Sequence, residues 1–175
     1  MAKRAWLAAV LALFLQSTPS SPQTRSPGNW VEAKGARVLV PAGWSHNERL
    51  LAASGPIAIT NFGGIYATGG LLPPDGAEIE ITSLPAPPNL VEYIRKELKG
   101  VKIDSLQEMQ AGEKSGIQAS YADTIAPGAT LKTVVVYIVH SSMLYKFYFS
   151  FWAGNKGEQG LTSVFTNLVR ESQLR

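Results

Sequence analysis

The chain has no cysteine, only two histidines, and charge on just 17% of its 175 residues. Without a thiol, disulfide scaffolds, cysteine nucleophiles, iron–sulfur clusters and thiolate zinc sites are all excluded, because each needs sulfur as cross-link, nucleophile or ligand. Several chemical signatures are missing as well. There is no G-x-S-x-G elbow, no phosphate loop with its lysine, and no N-x-S/T glycosylation acceptor. What is present is 45% hydrophobic residues with 16 glycines and 11 prolines. That composition fits one compact domain with a short appendage and argues against disorder and collagen-like repeats.

The strongest local bias is at the N-terminus. Lys3 and Arg4 precede the apolar run Ala5–Leu15, which gives way to Gln16-Ser17-Thr18-Pro19-Ser20. A run of this length rises about 16 Å as a helix against a bilayer core of about 30 Å, so it reads as a secretory signal and not as an anchor. The best small-residue cleavage point follows Ser20, with Thr18 at the minus-three position, and the absence of cysteine excludes a lipid-modified terminus. The expected organisation is a signal peptide over 1–20, a flexible proline-rich leader over 21–29 and a single domain over 30–175, exported to the periplasm or beyond. Beyond residue 20 there are 14 basic and 13 acidic side chains, so the charge balance gives no reason to expect a nucleic acid. The densest basic stretch, Arg95, Lys96, Lys99 and Lys102, is interrupted by Glu92 and Glu97 and reads as a solvated helix face.

Within the domain, periodicity predicts strands over Val31–Val40, Leu50–Ala53, Ile57–Phe62 and Ala77–Leu84. A helix follows, capped by Asn89, ended near Gly100, and burying Leu90, Val91, Ile94 and Leu98. Alternation at Ile117, Ala119, Tyr121 and Ile125 predicts a half-buried strand. Leu131–Val139 is apolar on both faces and belongs near the sheet centre. After the turn at Ser141-Ser142, Tyr145, Phe147, Phe149 and Phe151 point one way while Lys146, Tyr148 and Ser150 point the other. A last helix, near Glu158–Ser172, lays Leu161, Val164, Phe165, Leu168 and Val169 on the sheet. Short connections make the sheet mainly antiparallel, giving an α+β sandwich with helices packed on a twisted sheet.

The strand Arg37-Val38-Leu39-Val40 running into Pro41-Ala42-Gly43-Trp44, the segment Ile57-Ala58-Ile59, the block Tyr145–Ser150, and the closing Phe165, Leu168, Val169 and Ser172 resemble the PsbP-like fold over roughly residues 35–173. That superfamily includes an extrinsic subunit of photosystem II and a Ran-binding nucleotide-release factor. The resemblance implies an α/β/α sandwich and a docking or accessory role in place of catalysis, and it carries no family metal or partner residue onto a position of this chain.

No nucleophile, base and oxyanion donor can be named together, and no cofactor motif is present. His46 and Glu48 are polar candidates that need a further carboxylate to hold a divalent ion; a histidine on a surface loop is the plainer reading. His140 adjoins Ser141 and Ser142, yet neighbours in a tight turn rarely aim at one another. Glu78 and Glu80 share a strand face, either as paired carboxylates or as its wet side. Trp44 and Trp152 read as core or rim packing. The segment from Asn61 to Gly76 is long, glycine-rich and carries few charges, with Phe62, Ile65, Tyr66, Leu71 and Leu72 as apolar side chains suited to contact with a protein or a small apolar ligand. The opposing reading is that these side chains fold back to close one end of the sandwich. The sequence therefore points to an exported, non-enzymatic domain that docks on a protein partner. The alternatives are a carrier of a small apolar ligand or lipid, and a hydrolase-type enzyme.

Overall fold

The structure is a computed structural model that describes residues 29–33, 35–46, 57–62 and 72–175. The expected signal, nearly all of the leader, the strand expected at Leu50–Ala53, and Glu48, Ile65, Tyr66 and Leu71 lie outside the described residues. In chain order the elements are β1 (Trp30–Ala33), β2 (Ala36–Leu39), β3 (Ser45–His46), β4 (Ile57–Thr60), β5 (Ala77–Pro85), α1 (Leu90–Glu97), β6 (Ile103–Ala111), β7 (Lys114–Ala126), β8 (Ala129–His140), β9 (Met143–Trp152), α2 (Glu158–Glu171) and β10 (Gln173–Leu174). Seven strands form an antiparallel sheet in the order β3-β4-β5-β9-β8-β7-β6, and β1-β2-β10 form a small second sheet.

The alternation of β9 sorts the molecule into layers. Tyr145, Phe147, Phe149 and Phe151 are each no more than 2% exposed and pack with Ile59, Ile79 and Val136 under the small sheet and α2. Phe149 stacks on Phe165 of α2 at 5.0 Å between ring centres. On the other face α1 brings Ile94 and Leu98 down onto Ala119, Val135, Tyr137 and Leu144. Asn89 starts α1 by accepting the Glu92 amide on its Oδ1 at 3.0 Å, and Gly100 at φ +88° leaves it in a conformation costly for any side chain. The architecture is the expected α+β sandwich.

Four local expectations are corrected. Val31–Val40 is two strands and not one. Gly35 turns at φ +82°, and a Cβ there would sit 2.8 Å from the Tyr145 hydroxyl, so β1 folds back on β2 with Trp30 opposite Leu39. β6 was not foreseen, because Asp104, Gln107, Glu108 and Gln110 blur its alternation; as the edge of the sheet it has one neighbour and a mostly wet surface. Val91, Ile125 and Val139, expected inside, are 39%, 50% and 45% exposed. Ile125 and Val139 stand at strand ends beside turns, and Val91 lies in the first turn of α1, at the open end of the stripe it shares with Ile94 and Leu98. Glu97 does not belong to a solvated face, because it turns toward the sheet.

The closing piece is a clamp. Buried Tyr145 donates its hydroxyl hydrogen to the Arg175 carbonyl at 2.6 Å and lies 3.5 Å from the Gly35 carbonyl, while the Arg175 amide donates to Gly35 at 2.9 Å. One hydroxyl thus ties the β1–β2 turn to the strand that ends the chain. Tyr145→Phe is expected to lower unfolding free energy by about 1–2 kcal/mol in urea titrations. Faster amide exchange is expected at Gln173 and Leu174, with the protection of β8 and β9 unchanged.

Candidate functional site

On the α1 side of the large sheet, register aligns polar side chains into rows. Thr60, Glu78, Ser150, Thr133 and Tyr121 stand across five neighbouring strands, and in the adjacent rows Glu80 faces Tyr148 while Thr82 faces Lys146. All of these except Thr60 line a cleft of about 290 Å³ whose walls are Glu78, Glu80, Thr82, Tyr121, Lys146 and Tyr148. Thr133 and Ser150 close its floor, with their hydroxyls 3.2 Å apart.

One wall is an ion pair that spans two elements. Lys146 Nζ donates to Glu97 Oε1 at 2.7 Å, with side-chain exposures of 12% and 22%. The Tyr148 hydroxyl donates to the same oxygen at 2.7 Å. The ammonium also lies 5.7 Å and 5.3 Å from the ring centres of Tyr93 and Tyr148. Burial alone would lower the lysine pKa, but hydrogen bonds to Glu97, Tyr148 and Tyr93 overcome it and hold Lys146 above the ordinary range. Burial, reinforced by the Glu97 charge, pushes Tyr137 and Tyr148 well above ordinary tyrosine, the opposing Lys146 notwithstanding at Tyr148. Tyr121 is raised too, chiefly by burial.

The opposite wall differs in kind. Glu80 makes no hydrogen bond or ion pair among the described residues, and burial followed by the neighbouring Glu78 charge raises its pKa, with Lys146 acting against them. Thr82 Oγ1 is buried with no hydrogen-bond partner among the described residues. Both carboxylates singled out in the sequence therefore share one cleft, whereas the histidines do not join them. His46 pairs in register with Ile59 on the opposite face, and His140 is exposed beside the β8–β9 turn. Among the described residues no three His, Asp or Glu side chains gather.

The described ends of the 61–76 segment are pinned to the sheet. Asn61 Oδ1 accepts the Ala77 amide at 2.7 Å and its Nδ2 donates to the Asp75 carbonyl at 3.2 Å. Trp152 Nε1 donates to the Leu72 carbonyl at 2.8 Å, so this tryptophan is a rim-packing residue. Phe62 is half-buried and Leu72 is 9% exposed. Sequence reasoning overlooked Glu97, Tyr93 and Lys146. The signal that could have found them is a lysine alternating with buried aromatics in a central strand, since such an ammonium needs a partner.

No protein-family model and no curated protein matches the chain. Solved structures do match. The Ran-binding protein Mog1p of Saccharomyces cerevisiae aligns at TM-score 0.53 and 13% identity, over 84% of this chain and 96% of that one. Cyanobacterial PsbP from Synechocystis aligns at TM-score 0.52 and 10% identity, over 90% and 98%. A protein from Bacteroides thetaiotaomicron aligns at TM-score 0.53 and 12% identity over 81% of this chain, which spans only 45% of that protein's length. The fold is PsbP- and Mog1-like, as the sequence resemblance implied.

Two outcomes follow from the electrostatics. Glu97→Leu is expected to cost about 3 kcal/mol by stranding Lys146, whereas Glu97→Leu with Lys146→Met costs less than the sum of the single changes in a double-mutant cycle. Because Lys146, Tyr137 and Tyr148 hold their protons more tightly folded than unfolded, their stabilisation is intact below about pH 10 and is lost as pH rises further. Glu80 has the same sign at lower pH, since its raised pKa makes the ionised form a cost. Glu80→Gln is therefore expected to raise the melting temperature at pH 7, with the gain vanishing below about pH 4.

Proposed function

We propose that the chain is an exported, non-enzymatic accessory domain that docks on a protein partner through the 61–76 segment, with Phe62, Ile65, Tyr66 and Leu71 as contact residues; Leu72 is buried and anchors the segment instead. The observation that carries the docking reading is the pinning of the described ends of this apolar segment by Asn61 and Trp152. The fold adds support, because the Mog1 relative is by its name Ran-binding.

The cleft does not assemble a catalytic set. Lys146 and Tyr148 are driven away from neutrality and Glu97 is engaged by both, while Glu80, though raised toward neutrality, has no nucleophile or oxyanion donor gathered beside it among the described residues. The apolar-carrier alternative finds no support between sheet and α2, where Phe149, Phe151 and Phe165 pack ring against ring. Export rests on the Lys3-Arg4 start and the apolar run after it. Among the described residues no helix is long and apolar enough to cross a membrane.

The test is in-cell crosslinking of tagged full-length protein in its native host, beside a Tyr66→Ser, Leu71→Ser variant. One envelope or secreted protein is expected to crosslink to the natural chain and to be lost from the variant at unchanged melting temperature. Equal recovery by both forms would remove the segment from the interface. N-terminal sequencing of the same material is expected to start at Ser21; a chain still starting at Met1 would defeat the export reading.

A further inference from the structure

We propose that the cleft on the α1 side of the sheet binds a small organic cation, an alkylammonium or guanidinium group seated on the Glu80 carboxylate beside the rings of Tyr121 and Tyr148. This site is separate from the 61–76 docking segment and does not depend on it.

The sheet face already holds one such group. Lys146 shows what this surface provides for an ammonium: a carboxylate at 2.7 Å from Glu97 and tyrosine rings at 5.3 and 5.7 Å. The same ingredients recur on the cleft side, where Glu80, Tyr121 and the Thr82 hydroxyl line a volume of about 290 Å³. Lys146 lines the same volume and acts on Glu80 at a distance, but no described cation makes an ion pair with Glu80. The Lys146 ammonium donates to Glu97 and Tyr93, and among the described residues no donor reaches Glu80. A half-buried carboxylate without a donor and a buried Thr82 Oγ1 without a partner are both costly, and a single cationic donor would satisfy the two at once.

Other occupants fit less well. An anion would meet Glu78 and Glu80, and a neutral alcohol would leave the Glu80 charge uncompensated. A divalent metal asks for more oxygen ligands than two carboxylates and a few hydroxyls offer, and among the described residues no third acidic or histidine side chain gathers with them. The aromatic wall adds attraction for an organic cation. The volume is at the small end for ligand sites, which suits a single charged head on a short alkyl chain.

The experiment is an NMR titration of the folded chain with n-butylammonium, n-butylguanidinium, n-butanol, butyrate and calcium chloride, read at the amides of residues 78–82 and the rings of Tyr121 and Tyr148. The two organic cations are expected to shift these signals saturably, and the alcohol and the carboxylate are not. Glu80→Gln, which keeps the shape of the side chain, should weaken binding by about tenfold or more with the remaining spectrum unchanged. Tyr121→Leu should weaken it with Glu80 intact. Equal shifts from n-butanol, undiminished binding to the Glu80→Gln chain, a response to calcium alone, or no response to either organic cation would each overturn the assignment.

Discussion

An ammonium that is 12% exposed cannot stay charged in the middle of a sheet without a carboxylate, and the only described carboxylate in contact with Lys146 comes from α1. This requirement ties helix to sheet at a defined distance. Because Glu97 Oε1 also takes the Tyr148 hydroxyl, the last turn of α1 is fixed against two successive outward-facing residues of β9. The placement of Ile94 and Leu98 over Val135 and Leu144 follows from the same docking. One polar contact therefore sets the geometry in which the apolar contacts act. Apolar burial provides most of the cohesion, and the ion pair fixes where the last turn of α1 meets β9.

Much of the fold could be read from residue alternation. The aromatic face of β9, the stripe of α2 and the capped start of α1 each obey a single periodicity over enough residues to be unambiguous. Legibility fails where one residue outweighs the pattern. Gly35 breaks an apparently continuous run from Val31 to Val40, and nothing in the flanking apolar residues signals that the Tyr145 hydroxyl will lie against it. β6 has polar residues on both sides because an edge strand needs cover on only part of its surface, so its periodicity is weak for a physical reason. The cleft was half visible. Glu78 and Glu80 announce a shared face by their spacing alone, but their companions come from β7, β8 and β9, and only strand order and register can assemble them.

The two faces of the large sheet are covered unequally, and that inequality accounts for the cleft. α2 has 14 residues, about 21 Å of helix, and shares its face with the small sheet, so that side is closed and aromatic. α1 has 8 residues, about 12 Å, against a seven-stranded sheet whose outer strands stand about 29 Å apart. A helix of that length cannot cover the face. The residues at its margin must then be polar, and those between its edge and solvent reside in an intermediate setting, neither fully hydrated nor packed. Glu80 is such a residue. Burial raises its pKa, so its ionised form opposes folding near neutral pH, a cost that a longer helix or an apolar side chain would remove.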